Sequence, residues 1–145
     1  MTPSEQESRR ARRFGWTSLC VWASFGLALE AANGFKLGPY LDDELARMLL
    51  RLGHAHGVGL ALVVLAYAAV PGPRVSARED GGRAIGRLLR VGALSVPLGF
   101  ALSAVAHPEG DPSLAILLVP VGALCTLFAL GWLALAAWRE RATSS

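Results

Sequence analysis

With 145 residues the chain has room for one domain. It is 53% hydrophobic with a mean hydropathy of +0.43, and its apolar residues are gathered into long blocks. That argues against a soluble four-helix bundle, which needs a polar stripe on every helix; the third and fourth blocks have none beyond isolated Ser and Thr. The net charge of +3 sits almost wholly on arginines outside the blocks, so it reads as a topology signal and not as a nucleic-acid surface.

Four blocks approach the roughly 20 residues a helix needs to cross about 30 Å of hydrocarbon: Phe14–Asn33, Gly53–Val70, Leu88–Ala106 and Ser113–Trp138. Arg9, Arg10, Arg12 and Arg13 precede the first. Arg74, Arg78, Arg83 and Arg87 lie between the second and third, Arg90 falls in the first turn of the third, and Arg139 and Arg141 follow the fourth. Only Lys36, Arg47 and Arg51 lie between the first two, and the turn from His107 to Pro112 has no cation. The positive-inside rule then puts both termini and the middle loop in the cytoplasm. The expected fold class is all-α: an integral membrane four-helix bundle in a bacterial inner (plasma) membrane. Cytoplasmic tails are expected over 1–13 and 139–145. A single domain over 14–138 is expected to hold helices at about 14–33, 42–70, 83–107 and 112–138.

In chain order, residues 1–13 read as a frayed polar tail. The first helix follows with Trp16 at the interface; it ends in Glu30 without a small-x-small cleavage pattern. Gly34 to Leu41, GFKLGPYL, breaks it. Asp42 is a good N-cap for the second helix, followed by acidic Asp43 and Glu44. That helix runs unbroken through LDDELARMLLRLGHAHG to Val70, and counting about 20 residues back places the water boundary near Arg51. Pro97 and Pro120 are expected to kink the third and fourth helices. Asp111 is expected to cap the fourth, with Pro112 at its first position. Gly53 and Gly57 form a G-x-x-x-G, and Gly92, Gly99 and Gly122 also suit close helix approach. Cys20 and Cys125 read as small hydrophobes.

Glu30 stands about one turn inside the end of the first helix, where an ionised carboxylate costs a few kcal/mol. Such a group marks a ligand, ion or proton site, or else pairs with Arg47, Arg51, His54 or His56 to fix packing. His54 and His56 lie about 200° apart around a helix, so one regular helix does not aim both at one small ion. With His107 at the outer end of the third helix and Glu30 on the first, they form a candidate three-histidine, one-carboxylate cluster. Imidazole and carboxylate suit a transition metal, and two histidines suit haem. Asn33, Lys36, Arg47 and Arg51 are the supporting polar groups. Ser18, Ser24, Ser95 and Ser103 are expected to bond back to their own helices.

The run from Leu27 to Gly57 resembles a family of small, uncharacterised bacterial four-helix membrane proteins. The residues that carry the resemblance are Glu30 late in helix one, the Gly34-Phe35-Lys36 turn, and His54-Ala55-His56-Gly57 at the start of helix two. The His-x-His pattern is also distantly similar to haem- and copper-binding membrane proteins of respiratory and nitric-oxide pathways, which carry further histidines deep in the membrane; this chain has none there. The expectation is therefore a non-enzymatic, multi-pass protein whose outer-face Glu/His cluster binds a small ligand, metal or haem. The alternative is a structural subunit or assembly factor of a larger membrane complex, with Glu30 paired to Arg51 or His54. The expected partners are the lipid bilayer and either other membrane subunits or further copies of the chain.

Overall fold

In the computed structural model, which describes residues 2–69, 79–105 and 111–142, every regular element is a helix. They are α1 (Pro3–Gly34), the single turn α2 (Gly38–Leu41), α3 (Glu44–Ala69), α4 (Glu79–Val105) and α5 (Leu118–Ala142), the last preceded by a 3₁₀ turn, Leu114–Leu117. Three stretches are long and apolar enough to cross a membrane: Glu44–Ala69, Gly81–Val105 and Leu114–Arg139. The first helix, counted as a fourth span on sequence, is not among them. Only sixteen residues separate Arg13 from Glu30, and Thr17, Ser18 and Ser24 dilute that stretch.

The N-terminal residues are helical, not frayed. The Thr2 hydroxyl accepts from the Glu5 backbone N–H at 3.2 Å, and the Glu5 carboxylate accepts from the Thr2 N–H at 2.7 Å. Pro3 opens the first turn. This reciprocal cap satisfies two donors that a helix start otherwise leaves open. The buried stripe of α1 accordingly begins at Glu7 and continues through Ala11, Gly15, Ser18, Trp22, Gly26 and Leu29, the spacing of one helix face.

The far end of α1 closes in a Schellman turn. The Leu37 N–H reaches the Ala32 carbonyl at 3.0 Å and the Lys36 N–H reaches Asn33 at 3.2 Å. Lys36, not a glycine, takes the left-handed position, with φ of 52°. The cap of α3 falls one residue later than expected: the Asp43 side chain accepts from the Ala46 N–H at 2.8 Å. Asp42 instead closes α2, its N–H donating to Gly38 at 2.9 Å. Likewise Ser113, and not Asp111, caps the turn before α5, accepting from Ala115 at 3.4 Å.

Small residues set the helix spacing. A Cβ on Gly15 would stand 2.7 Å from the Leu65 side chain, and one on Gly53 would stand 3.1 Å from the Pro97 carbonyl. Gly57 lies under the Trp22 ring and Gly26 under the His54 ring. The two glycines of the G-x-x-x-G therefore serve different neighbours, Gly53 meeting α4 and Gly57 meeting α1. Between α4 and α5, a Cβ on Gly92 would stand 2.8 Å from the Gly122 carbonyl. Such contacts are how helices gain dispersion energy where no water is displaced between them. A core of Ala11, Val64, Ala68, Ile85, Leu89, Ala93 and Ala129 joins α1, α3, α4 and α5 at the end where α1 begins. Among the described residues the bundle is unevenly closed: α5 packs chiefly along α4 and leaves most of its apolar surface uncovered.

Candidate functional site

Helices α1 and α3 run antiparallel, with Gly15 opposite Leu65 and Gly26 opposite His54. Glu30 lies four residues past Gly26, and Leu50 four before His54, so Glu30 stands at the height of Leu50 and Arg51. The polar residues singled out in the sequence thus occupy one end of the bundle. They do not converge there.

His54 is half-buried against α1. Its Nδ1 lies 2.8 Å from the Trp22 carbonyl, and because a carbonyl only accepts, Nδ1 carries the proton. The ring covers Gly26, where a side chain would collide with it. Beside it Trp22 is buried and meets Phe25 edge-on, ring centres 5.5 Å apart. His54 is therefore the member of the pair that faces the bundle. His56, two residues on, turns away as the 200° separation requires. It is exposed, donates from Nδ1 to its own helix at the Leu52 carbonyl (2.8 Å), and lies 5.1 Å from the Phe100 ring of α4. An open depression lined by Ala55, Gly59 and Leu60 adjoins it.

Glu30 is exposed and forms no ion pair with Arg47, Arg51 or His54 among the described residues. The pairing expected to lock the helices is absent there. Arg51 is exposed as well. Arg47 reaches back to the Leu41 carbonyl and closes the end of α2, while Asn33 and Lys36 serve the Schellman turn through their backbones. His107 lies outside the described residues. Among the described residues no three His, Cys, Asp or Glu side chains are grouped to hold a metal ion.

The charged contact that does tie helices together is at the opposite end, between Glu7 of α1 and Arg90 of α4. Both side chains are largely withdrawn from solvent, 7% and 18% exposed respectively. Gly86 makes room for it, since a side chain there would strike the Glu7 carboxylate. Nearby the Tyr67 hydroxyl donates to the Gly82 carbonyl at 2.8 Å, joining α3 to the start of α4. Sequence reasoning passed over Glu7 by treating 1–13 as a tail. Two signals were present: the Thr2-x-x-Glu5 cap, and the continuation of the Trp22, Ser18, Gly15, Ala11 stripe back to Glu7 at helical spacing.

The serines divide. Thr126 bonds back to the Gly122 carbonyl at 3.0 Å, but the buried hydroxyls of Ser18 and Ser103 have no hydrogen-bond partner. Their back-bonding was expected and is not found; their small volume at buried positions is what the packing uses.

Comparison with protein-family models, curated protein sequences and solved structures finds no match to the chain.

Proposed function

We propose that the chain is a non-enzymatic, multi-pass subunit or assembly factor of a bacterial inner-membrane complex. In this reading α1, less apolar than the other three, also crosses beside α3, so that both termini are cytoplasmic and the Glu30 end faces outward. The observation that carries it is the use made of His54. The most conspicuous polar side chain in the apolar half of α3 is spent on an interhelical bond to the Trp22 carbonyl, over a glycine that admits its ring. The Glu7–Arg90 pair and the Tyr67–Gly82 bond follow the same logic, polar groups acting as ties between helices. The uncovered side of α5, with Leu124, Leu127, Gly131 and Leu135 exposed at helical spacing, is the surface on which a partner helix fits. The arginine-rich ends of α1, α4 and α5 support the orientation.

The test is an absorption spectrum with metal analysis on freshly purified full-length protein, followed by affinity purification from mild detergent. A featureless Soret region, no stoichiometric metal, and a membrane protein retained by the wild type but lost on Leu127→Arg are the expected results. One metal or one haem per chain overturns the reading.

A specific observation favours ligand binding as the second reading. The imidazoles of His54 and His56 each donate Nδ1–H to a backbone carbonyl, which is how ligating histidines are commonly oriented. In the neutral ring this leaves Nε2 as the acceptor, and in His56 that ring is exposed. On this reading Glu30, His54, His56 and His107 take a small ligand, a transition metal or haem at the outer face. His56→Ala then abolishes binding of added zinc or haemin by the purified protein; unchanged binding removes His56 from the site.

A further inference from the structure

A groove of about 390 Å³ runs between α4 and α5 toward the end where α1 begins, walled by Ala84 and Leu88 on one side and by Val121, Cys125, Phe128 and Trp132 on the other. Apart from the Cys125 thiol and the Trp132 indole, its lining side chains are hydrocarbon. Val121 to Trp132 is eleven residues, about 16 Å of helix, or roughly half of a 30 Å hydrocarbon layer. The groove therefore spans the depth of one leaflet. Val121, Cys125, Phe128 and Trp132 form one stripe at spacings of four, three and four, and seven residues further the same stripe reaches Arg139. Arg139 is exposed and unpaired among the described residues. Helical side chains lean toward the N-terminus, so this guanidinium leans back toward the groove from about one and a half to two turns beyond Trp132.

Shape and size favour a thin occupant. A helix of about 10 Å diameter would reach into the groove only with the side chains of one face, whereas a fatty acyl chain lies within it along its length. A cavity of about 150 Å³ takes the six carbons of benzene, so by proportion this groove takes roughly 15 carbons. That is one fatty acyl chain. Arg139 supplies its charge complement, because a guanidinium about two turns beyond the groove suits a phosphate and its oxygens bidentately.

We infer that the α4–α5 groove binds one acyl chain of an anionic phospholipid of the cytoplasmic leaflet, with the lipid phosphate held by Arg139. The inference rests on the membrane reading, which sedimentation of the chain with alkali-washed membranes tests separately.

The experiment is native mass spectrometry of the full-length protein in detergent, titrated with dioleoylphosphatidylglycerol and, separately, with dioleoylglycerol, which has the same chains and no phosphate. One phosphatidylglycerol per chain is expected to bind at least tenfold more tightly than dioleoylglycerol. Arg139→Gln is expected to erase that preference, whereas Arg13→Gln, on another helix, leaves it intact. Ala84→Phe and Cys125→Phe each fill the groove, and both are expected to abolish the tight site while the helical circular dichroism is unchanged. Equal binding of the two lipids, a preference that survives Arg139→Gln, or tight binding that survives both filling variants overturns the inference. So does a chain that is a dimer in place of a lipid complex, with Cys125 cross-linking to Cys125, because the occupant is then a second copy.

Discussion

The Glu7–Arg90 pair offers the sharpest test of how this bundle is held. Breaking a buried ion pair from one side costs about 3–5 kcal/mol, since the remaining charge is left without a partner, whereas replacing both members with apolar residues of similar volume is neutral or stabilising. The two sides here are not equivalent. Glu7 is 7% exposed and short, while Arg90 is 18% exposed and long enough to carry its charge to the interface. Arg90→Met strands a carboxylate and is expected to cost about 4 kcal/mol. Glu7→Gln leaves a neutral acceptor beside an arginine that can move, and is expected to cost about 2 kcal/mol. Glu7→Leu with Arg90→Met together is expected to recover most of the loss. Gly86 adds an independent handle: Gly86→Ala drives a methyl group into the Glu7 carboxylate and destabilises the wild type, but is tolerated in Glu7→Ala. The assay is equilibrium unfolding of the full chain in mixed micelles, followed by tryptophan fluorescence and helical circular dichroism. Losses below about 1 kcal/mol, the range of exposed ion pairs, or strict additivity of the singles in the double variant, refute the reasoning.

The caps and glycine contacts give further expected outcomes. Lys36→Gly relieves a side chain held in the left-handed region and is expected to stabilise by about 1 kcal/mol, seen as a higher unfolding midpoint; a lower one means the Schellman turn is not formed. His54→Ala removes an interhelical hydrogen bond and a packed ring and is expected to cost about 2 kcal/mol, whereas His56→Ala stays within about 0.5 kcal/mol. Gly26→Ala is expected to harm the wild type and to be relieved in His54→Ala. Asp43→Ala costs about 1 kcal/mol as the loss of an N-cap, and Asp42→Ala costs measurably less. A larger loss from Asp42→Ala than from Asp43→Ala would place the cap at Asp42, as the sequence alone suggests.

Much of the candidate site was legible in residue types and spacing. That His54 and His56 part company follows from helical geometry alone, and interhelical packing decides that His54 is the inward one, because Gly26 on α1 leaves room for its ring. Glu30 was legible as unusual. What it meets was not, because several candidate partners follow on the next helix and the contact depends on how α1 turns against α3. Glu7 was missed for a different reason: thirteen mostly polar residues look like a tail until the cap at Thr2 and Glu5 and the buried stripe are read together.

The sequence by itself determined that the chain is helical, where its apolar stretches lie and at which end its arginines gather, because these depend on local propensity and on transfer of side chains out of water. Only the tertiary structure decided which small residue faces which helix, that among the described residues Glu7 and not Glu30 pairs with an arginine of another helix, and that α5 rests chiefly on α4. Those are outcomes of close approach between helices, settled by ångström-scale fit among residues up to eighty-three positions apart, and no local pattern encodes them.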